Sequence, residues 1–144
     1  NQIYTSEQAF FDDLEQMNSI IKAQTGNDAS IIRFPGGSSN TVSKDYCPGI
    51  MTQLVNDVTA RGLLYCDWNV SSGDANNKPI STEQVVQNVI SGVQSHNVSV
   101  VLQHDIKDFS VNAVEQIIQW GQANGYTFLP LTTSSPMSHH RVNN

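Results

Sequence analysis

Charged side chains are scarce in this sequence, and basic ones are scarcer than acidic ones. Asp, Glu, Lys and Arg make up 14% of the 144 residues, and seven basic against thirteen acidic residues give a net charge of −6. The Lys and Arg residues are scattered along the chain, whereas nucleic-acid binders concentrate them on one surface. The composition therefore predicts no nucleic-acid partner.

Long apolar runs and metal-type cysteine pairs are also missing. No apolar run approaches the roughly 20 residues that span a bilayer, so we expect no membrane span in this chain. Cys47 and Cys66 lack the spacing of a metal-binding pair, and the sequence allows either a disulfide or two buried thiols. The abundance of Asn, Ser, Thr and Gln suits an extracytoplasmic protein, secreted or at the cell surface, that handles sugars.

Capping signals and apolar spacing predict four helices. Ser or Thr before an apolar repeat and Gly after it are typical helix limits. The predicted helices run from Thr5 or Ser6 to Gly26, from Pro48 to Gly62, from Ser81 to a point before His96, and from Ser110, as the cap, to Gly125. Asp12 and Asp13 are neighbours in the first helix and point in different directions, so we assign them to a solvated face.

Short apolar runs alternate with these helices and predict strands. They are Ala29–Ile32, Leu63–Cys66, Ser99–Leu102 and Tyr126–Leu129. The stretch from Val70 to Pro79 is expected to be a polar loop, and residues 132–144 a disordered or loosely docked tail. This alternation is typical of an α/β fold with a parallel sheet.

Polar residues follow three of these strands. Arg33, Asp67 and His104 stand at the strand ends, and Asp74 lies on the loop that leaves the second strand. Chemistry collects at the carboxyl ends of parallel strands, so we expect these four side chains to share one rim. Two structural alternatives stay open: a hydrogen-bonded His104 without a catalytic role, and an Arg33 held in a salt bridge.

Three segments resemble sequence motifs of the polysaccharide deacetylase (NodB-type) family, carbohydrate esterase family four. Arg33 to Gly36 resembles an Arg-x-Pro-aromatic motif, Trp68 to Ala75 a motif that ends in Asp-Trp, and Leu102 to Asp105 a Leu-x-His motif. The last predicted helix and strand, Ile117 to Phe128, also resemble the end of that domain. The match spans nearly the whole chain in the right order.

The resemblance implies a distorted (β/α) barrel and the metal-dependent removal of an acetyl group from an N- or O-acetylated sugar. In that chemistry a divalent metal, usually zinc, polarises the carbonyl group and activates a water molecule. The implied catalytic residues are His104 as general acid, Asp74 as the carboxylate that orients its imidazole, and Arg33, which would position the base carboxylate. The implied substrate-binding residues are Leu102, which would line the pocket for the acetyl methyl group, Pro35, Trp68 and Asp67.

The sequence also departs from the family pattern. The family's Asp pair and His-x-x-x-His, which supply the base and the metal ligands, do not occur, and Asn1 to Tyr4 resembles the segment that follows them. We therefore expect residues 1–131 to be the C-terminal portion of a deacetylase domain that lacks its first strands, with 132–144 as a polar tail. Metal ligands are expected upstream of Asn1, with no metal or other cofactor in this chain.

Two functions follow from this resemblance. The first is deacetylation of an acetylated polysaccharide, with a peptidoglycan- or chitin-like N-acetyl sugar favoured and this chain carrying the general-acid half. The second is a non-catalytic glycan-binding or structural module on the same fold. Gly36 and Ala75 stand where aromatic groove walls are common, and Trp68 either offers a stacking face for sugar or belongs to the core. A swapped or edge-paired dimer is open, because missing strands would expose sheet edges.

Overall fold

The computed structural model describes residues 2–76 and 78–144. The described residues form two compact units. Unit 1 comprises residues 2–67 and 132–144, and unit 2 comprises residues 68–76 and 78–131. Strand pairing lies within each unit, so two small parallel sheets stand in place of the single sheet that the sequence predicts. The α/β class is confirmed, and the barrel stays a prediction.

Unit 1 contains one pair of parallel strands and two α-helices. In chain order its elements are a 3-10 helix, Gln2–Tyr4; helix α1, Glu7–Thr25; strand β1, Ile31–Ile32; a 3-10 helix, Val42–Asp45; helix α2, Ile50–Ala60; and strand β2, Leu64–Tyr65. Ile31 stands opposite Leu64 and Ile32 opposite Tyr65. The first two predicted strands are thus confirmed, each in a shorter form.

Local chemistry sets the limits of α1 as the sequence predicts. The Ser6 hydroxyl accepts a hydrogen bond from the Ala9 backbone N–H at 3.1 Å, so Ser6 is the cap in preference to Thr5. At the other end Gly26 takes a φ of 78° and donates its N–H to the Lys22 carbonyl at 2.8 Å. Glycine adopts this left-handed conformation without steric cost, which ends the helix.

Aromatic side chains form the centre of unit 1. The ring centroid of Phe10 lies 5.4 Å from that of Phe11 and 5.5 Å from that of Phe34. The Tyr4 hydroxyl donates to the Pro35 carbonyl at 2.7 Å, which satisfies the polar end of a buried ring. Buried side chains of α2 complete this core: Ile50, Met51, Leu54 and Val58. The segment after β1, which carries Phe34 and Pro35, is therefore held against the core.

Unit 2 also combines a parallel pair with helices. Its elements are strand β3, Val70–Ser71; helix α3, Thr82–Val93; strand β4, Val101–Leu102; the short helix α4, Asp108–Val111; and helix α5, Val114–Ala123. Val70 stands opposite Val101 and Ser71 opposite Leu102. Val85, Val86 and Ala113 are its buried apolar cluster. Ser81 caps α3 by accepting from the Gln84 N–H at 3.2 Å, as the capping-box spacing predicts.

Two predictions about unit 2 are wrong: a loop where the structure has a strand, and a strand where it has none. Val70–Ser71 pairs with β4 although its polar, glycine-containing surroundings predicted a loop. Residues 126–129, predicted as a strand, have no strand partner, and the Phe128 ring packs on α5 at Gly121. The reason is the same in both cases. A strand is defined by a neighbour that is distant in sequence, and a run of a few residues does not reveal that neighbour.

Two further sequence questions concern cysteines and membrane spans. Cys47 and Cys66 are both free thiols, the first half-buried and the second buried, so the disulfide alternative is excluded. In residues 2–76 and 78–144, no helix combines the length and the apolar character needed to cross a membrane.

We predict that Gly92→Ala destabilises unit 2. A Cβ at Gly92 of α3 would lie 2.5 Å from Cγ1 of Val70 in β3, so helix and strand would have to separate. Overpacking costs about 1–3 kcal/mol, and the helix propensity of Ala returns about 1 kcal/mol of that. Urea unfolding should show a net loss of up to about 2 kcal/mol for Gly92→Ala. Ser91→Ala, at an exposed position of the same helix, is the control, and a more stable Gly92→Ala variant would contradict the close packing.

Candidate active site

The turn after β3 carries Asp74. Gly73 within it has a φ of 77°, and a Cβ there would lie 2.8 Å from Nδ2 of Asn88 in α3. That same amide donates to the Ser72 carbonyl at 2.9 Å, and the Ser72 hydroxyl accepts from the Asp74 N–H at 3.3 Å. Only glycine fits so close an approach at this φ. The turn is therefore clamped by α3, which fixes the backbone of Asp74.

Asp74 and His104, which follows β4, form a direct pair. The Asp74 Oδ1 lies 2.8 Å from the His104 Nδ1, and Oδ2 accepts from the His104 backbone N–H at 2.7 Å. The side chain of Asp74 is 1% exposed, whereas that of His104 is 37% exposed. An ionised carboxylate can only accept, so Nδ1 carries the proton of this bond and Nε2 is left as the working nitrogen of the imidazole.

The segment after His104 encloses the carboxylate from the other side. The Ser110 hydroxyl in α4 donates to the Asp74 Oδ2 at 2.6 Å, and the Lys107 ammonium donates to the Asp74 carbonyl. Gln103 Nε2 donates to the Ser110 carbonyl at 2.6 Å. The prediction of Ser110 as a helix cap is wrong, because the residue lies inside α4 and its hydroxyl points at Asp74.

Sequence reasoning missed the contact between Ser110 and Asp74, although a weak signal exists. Ser110, Ala113 and Ile117 share the spacing of one helix face, and the structure buries Ser110 and Ala113 completely. A hydroxyl on an apolar face needs a partner inside the protein. The sequence could have indicated that a partner exists without naming Asp74, which lies 36 residues earlier.

Hydrogen bonds decide the charge state of Asp74. Burial raises the pKa of its carboxyl group, but hydrogen bonds from Ser110, His104 and Ser72 stabilise the ionised form and lower that pKa to about 2. Asp74 is therefore a carboxylate at neutral pH. An imidazolium formed at His104 would face a permanent negative charge.

A second buried carboxylate, Asp67, lies in unit 1. Ser38 donates to it twice, from its hydroxyl at 2.5 Å and from its backbone N–H at 2.8 Å, and the His140 N–H donates at 2.9 Å. Asp67 is completely buried. Burial opposes its ionisation, but these hydrogen bonds prevail and lower the pKa of the Asp67 carboxyl group. The structure gives Asp67 an internal set of partners, and its contact with substrate stays a prediction.

The C-terminal segment is docked on unit 1, so the expectation of a loose tail is wrong. The imidazole of His139 stacks on the Tyr65 ring at 4.1 Å, and Asp67 N–H donates to the Ser138 carbonyl at 2.7 Å. At the end of the chain the Asn144 carbonyl accepts from the Thr52 N–H at 2.7 Å. Apolar periodicity does not detect such a segment, because backbone groups and rings hold it in place.

Four other residues of the predicted site are placed as follows. Arg33 and Pro35 are exposed in unit 1, and Trp68 and Leu102 are half-buried in unit 2. No salt bridge of Arg33 is found within the part of the chain that the structure describes, so a structural ion pair is not its role there. The structure brings Asp74 and His104 together. That Arg33 and Asp67 share their rim stays a prediction.

A groove of about 320 Å³ runs along α1 in unit 1. Its lining is mainly apolar and includes Leu14, Ile31 and Leu63, with Arg33 and Asp13 as charged residues. Asp12 and Asp13 are both exposed, as expected of a solvated helix face, and Asp13 also borders this groove.

A metal site needs several His, Cys, Asp or Glu side chains that converge on one point. Among residues 2–76 and 78–144, no group of three or more His, Cys, Asp or Glu side chains is placed to hold an ion. His139 and His140 turn to different partners, the Tyr65 carbonyl at 3.0 Å and the Ser39 hydroxyl at 3.0 Å. These residues do not fit the metal that the family resemblance implies.

We predict that Asp74 links stability to acid pH. Its folded pKa of about 2 lies below the ordinary value of 3.8, so its contribution is present above pH 4 and is lost as pH falls towards 2. The shift corresponds to about 2 kcal/mol. Urea unfolding at pH 4.5 and pH 2.5 should show a smaller loss in Asp74→Asn than in the unchanged chain. Equal losses in the two proteins would contradict the hydrogen-bonded carboxylate.

We predict that Asp67→Asn loosens the C-terminal segment. The amide would present a donor where the Ser38 and His140 donors now find an acceptor, and an unmade buried hydrogen bond costs about 1–3 kcal/mol. Hydrogen exchange over residues 138–144 should accelerate about tenfold. Ser39→Ala, which removes only the partner of the His140 imidazole, serves as the control. Unchanged exchange in Asp67→Asn would show that the segment is held without the carboxylate.

Comparison with known proteins was made by family, by sequence and by structure. No family model matches the chain. A curated relative, the peptidoglycan-N-acetylglucosamine deacetylase of Bacillus cereus, is 28% identical over 123 residues, which are 83% of this chain and 42% of the relative. The crystal structure of the catalytic domain of peptidoglycan N-acetylglucosamine deacetylase from Eubacterium rectale is 99% identical, with a TM-score of 0.98. It covers 99% of this chain, which in turn covers 65% of it.

More distant structures share the fold. A CE4 esterase of Streptococcus mutans is 25% identical with a TM-score of 0.66, over 85% of this chain and 53% of that one. A CE4 family pseudoenzyme of Bacillus anthracis is 20% identical with a TM-score of 0.62, over 84% of this chain and 37% of that one. The chain thus spans less than two thirds of the relatives it matches. The chain matches part of a deacetylase catalytic domain, and its structural neighbours include an esterase of carbohydrate esterase family four.

Proposed function

We propose that the protein containing this chain removes the acetyl group from N-acetylglucosamine units of a peptidoglycan- or chitin-like polysaccharide. The observation that carries the proposal is the pair of a buried, ionised Asp74 and a half-exposed His104. Such a pair orients an imidazole and stabilises its protonated form, as a general acid requires. The names of the similar proteins from Eubacterium rectale and Bacillus cereus support the substrate class.

In this proposal His104 protonates the leaving group. Water adds to the acetyl carbonyl carbon, the C–N bond breaks, and the amine nitrogen takes the proton from Nε2 of the His104 imidazolium. Asp74 stays ionised, holds Nδ1–H and offsets the positive charge of the ring before transfer. The base carboxylate takes the proton that the attacking water loses. The products are acetic acid and the free amino sugar, and the proton on the base then passes to the imidazole and restores the imidazolium.

The remaining residues complete the proposal by resemblance. Arg33 positions the base carboxylate, Leu102 lines the pocket for the acetyl methyl group, and Trp68, Pro35 and Asp67 contribute to sugar binding. A divalent metal, with zinc the first candidate, would polarise the acetyl carbonyl group if ligands other than the described residues held it. A cell-wall substrate places the protein outside the cytoplasm.

A second candidate is a non-catalytic glycan-binding module on the same fold. It is favoured by the absence of a three-ligand cluster among residues 2–76 and 78–144. A fold-level neighbour described as a pseudoenzyme shows that this architecture also occurs without activity. Binding of acetylated oligosaccharide without acetate release would select this candidate.

We predict that His104→Asn lowers the rate of acetate release by about 10²–10⁴-fold, because general acid catalysis contributes that much. The measurement uses a chimaera in which this chain replaces the matching segment of the 99% identical Eubacterium rectale domain. Acetate is assayed with N-acetylglucosamine oligomers, and a chelator should abolish its release from the unchanged chimaera.

The matched control for this substitution is His96→Asn. His96 is an exposed histidine whose Nδ1 bonds the Gly92 carbonyl at the end of α3. It should leave turnover within about twofold of the unchanged chimaera. Undiminished turnover in His104→Asn would remove His104 from the mechanism.

A further inference from the structure

Ser110 supplies the contact that reaches the Asp74 carboxylate from α4. Its hydroxyl lies 2.6 Å from Oδ2, and the residue is completely buried. Oδ2 also accepts from the His104 backbone N–H at 2.7 Å, while Oδ1 bonds the His104 imidazole. We propose that Ser110 is a positioning residue for the general acid, which fixes the Asp74 carboxylate so that Oδ1 stays aligned with Nδ1 of His104. This inference rests on the proposed function.

The carboxylate needs such a contact because its terminal torsion is soft. Rotation about the Cβ–Cγ bond of Asp has broad preferences, so packing and hydrogen bonds must choose its plane. Both bonds from His104 come from the residue that is itself to be oriented. A donor on α4 supplies a reference that does not move with the imidazole. Loss of that donor would let carboxylate and ring tilt together.

The Ser110 backbone is itself held in place. Its carbonyl accepts from Gln103 Nε2 at 2.6 Å, and its N–H donates to the Lys107 carbonyl at 2.9 Å. Lys107 returns to the site through the bond from its ammonium to the Asp74 carbonyl. A hydrogen bond thus links the two ends of the segment from Gln103 to Ser110, and Lys107 within it bonds Asp74. The backbone of Ser110 is thus fixed, and the bond to Oδ2 then selects the rotamer of its hydroxyl.

The chemical consequence concerns the His104 tautomer. A fixed, ionised carboxylate at Oδ1 keeps the proton on Nδ1 and leaves Nε2 for the substrate. The His104 imidazole bonds Oδ1 of Asp74, and the Lys107 ammonium bonds the Asp74 backbone carbonyl. Neither bond replaces the Ser110 hydroxyl, which donates to Oδ2. Without the Ser110 hydroxyl, Oδ2 keeps one donor, and the carboxylate binds a proton more readily.

The first test is magnetic resonance of the chain itself. In Ser110→Ala, the carboxyl ¹³C titration of Asp74 should move to higher pH, and imidazole ¹⁵N shifts should show a loss of the Nδ1–H tautomer of His104. Ser43→Ala is the matched control, since Ser43 is a buried serine whose hydroxyl bonds the Asn40 carbonyl in unit 1. An unchanged titration and tautomer in Ser110→Ala would overturn the proposal.

A second pair of variants separates the hydroxyl from packing. Ser110→Thr and Ser110→Val have the same shape and differ by one hydroxyl group, so any strain from the added methyl is common to both. The Thr variant should keep the Asp74 titration and the Nδ1–H tautomer, and the Val variant should lose them. Equal behaviour of the two would show that packing, and not the hydrogen bond, governs the site.

The activity test uses the chimaera with the Eubacterium rectale domain. Ser110→Ala should lower kcat by about 10- to 100-fold with KM within about twofold, since misplacement of a catalytic group affects turnover more than binding. Ser110→Thr should recover more of kcat than Ser110→Val. Full kcat in Ser110→Ala, together with a reduced kcat in His104→Asn, would contradict this inference and leave the proposed function unaffected. Altered resonance in Ser110→Ala, alongside an unimpaired His104→Asn, would contradict the proposed function, and Ser110 would then orient His104 without a catalytic role.

Discussion

The structure depends most on the burial of an ionised carboxylate. Asp74 is almost completely removed from solvent, and burial alone would favour its neutral form. Donors from a serine hydroxyl, an imidazole and a backbone N–H offset that cost and keep the group charged. Each donor lies on a segment that follows β4, so the need to satisfy one carboxylate determines the path of the chain from Gln103 to α4.

A comparison with Asp67 shows how similar chemistry serves two purposes. Both carboxylates are buried, and both accept from a serine hydroxyl and from the backbone N–H of a histidine. At Asp74 the imidazole of His104 also bonds the carboxylate and is partly exposed. At Asp67 the imidazole of His140 turns to Ser39. Asp67 therefore anchors the C-terminal segment, whereas Asp74 orients a reactive ring.

The family relationship and the geometry contribute different parts of the functional argument. The chain is similar to part of a deacetylase catalytic domain, and the names of the similar proteins supply the substrate class for the proposal. They do not assign roles to residues of this chain. The hydrogen bonds of His104 support its proposed role, because they assign a proton to Nδ1 and leave Nε2 open.

The candidate pair was accessible to sequence reasoning, but its surroundings were not. The Leu-x-His segment and the Asp after β3 could be found from motif order, since both lie in short segments with a recognisable pattern. Ser110, Ser38 and the docking of residues 138–144 were missed. Their partners lie between 29 and 104 residues away, and the identity of a distant partner is not encoded in local spacing.

The sequence by itself determined the limits of α1 and the start of α3, because these rest on neighbours within one turn. Ser6, Ser81 and Gly26 act where the local pattern places them. Only the tertiary structure decided the strand partners, the burial of Asp74 and the direction of the Ser110 hydroxyl. These features arise from contacts between segments that meet after folding, and the free energy of a buried charge depends on all the donors that reach it.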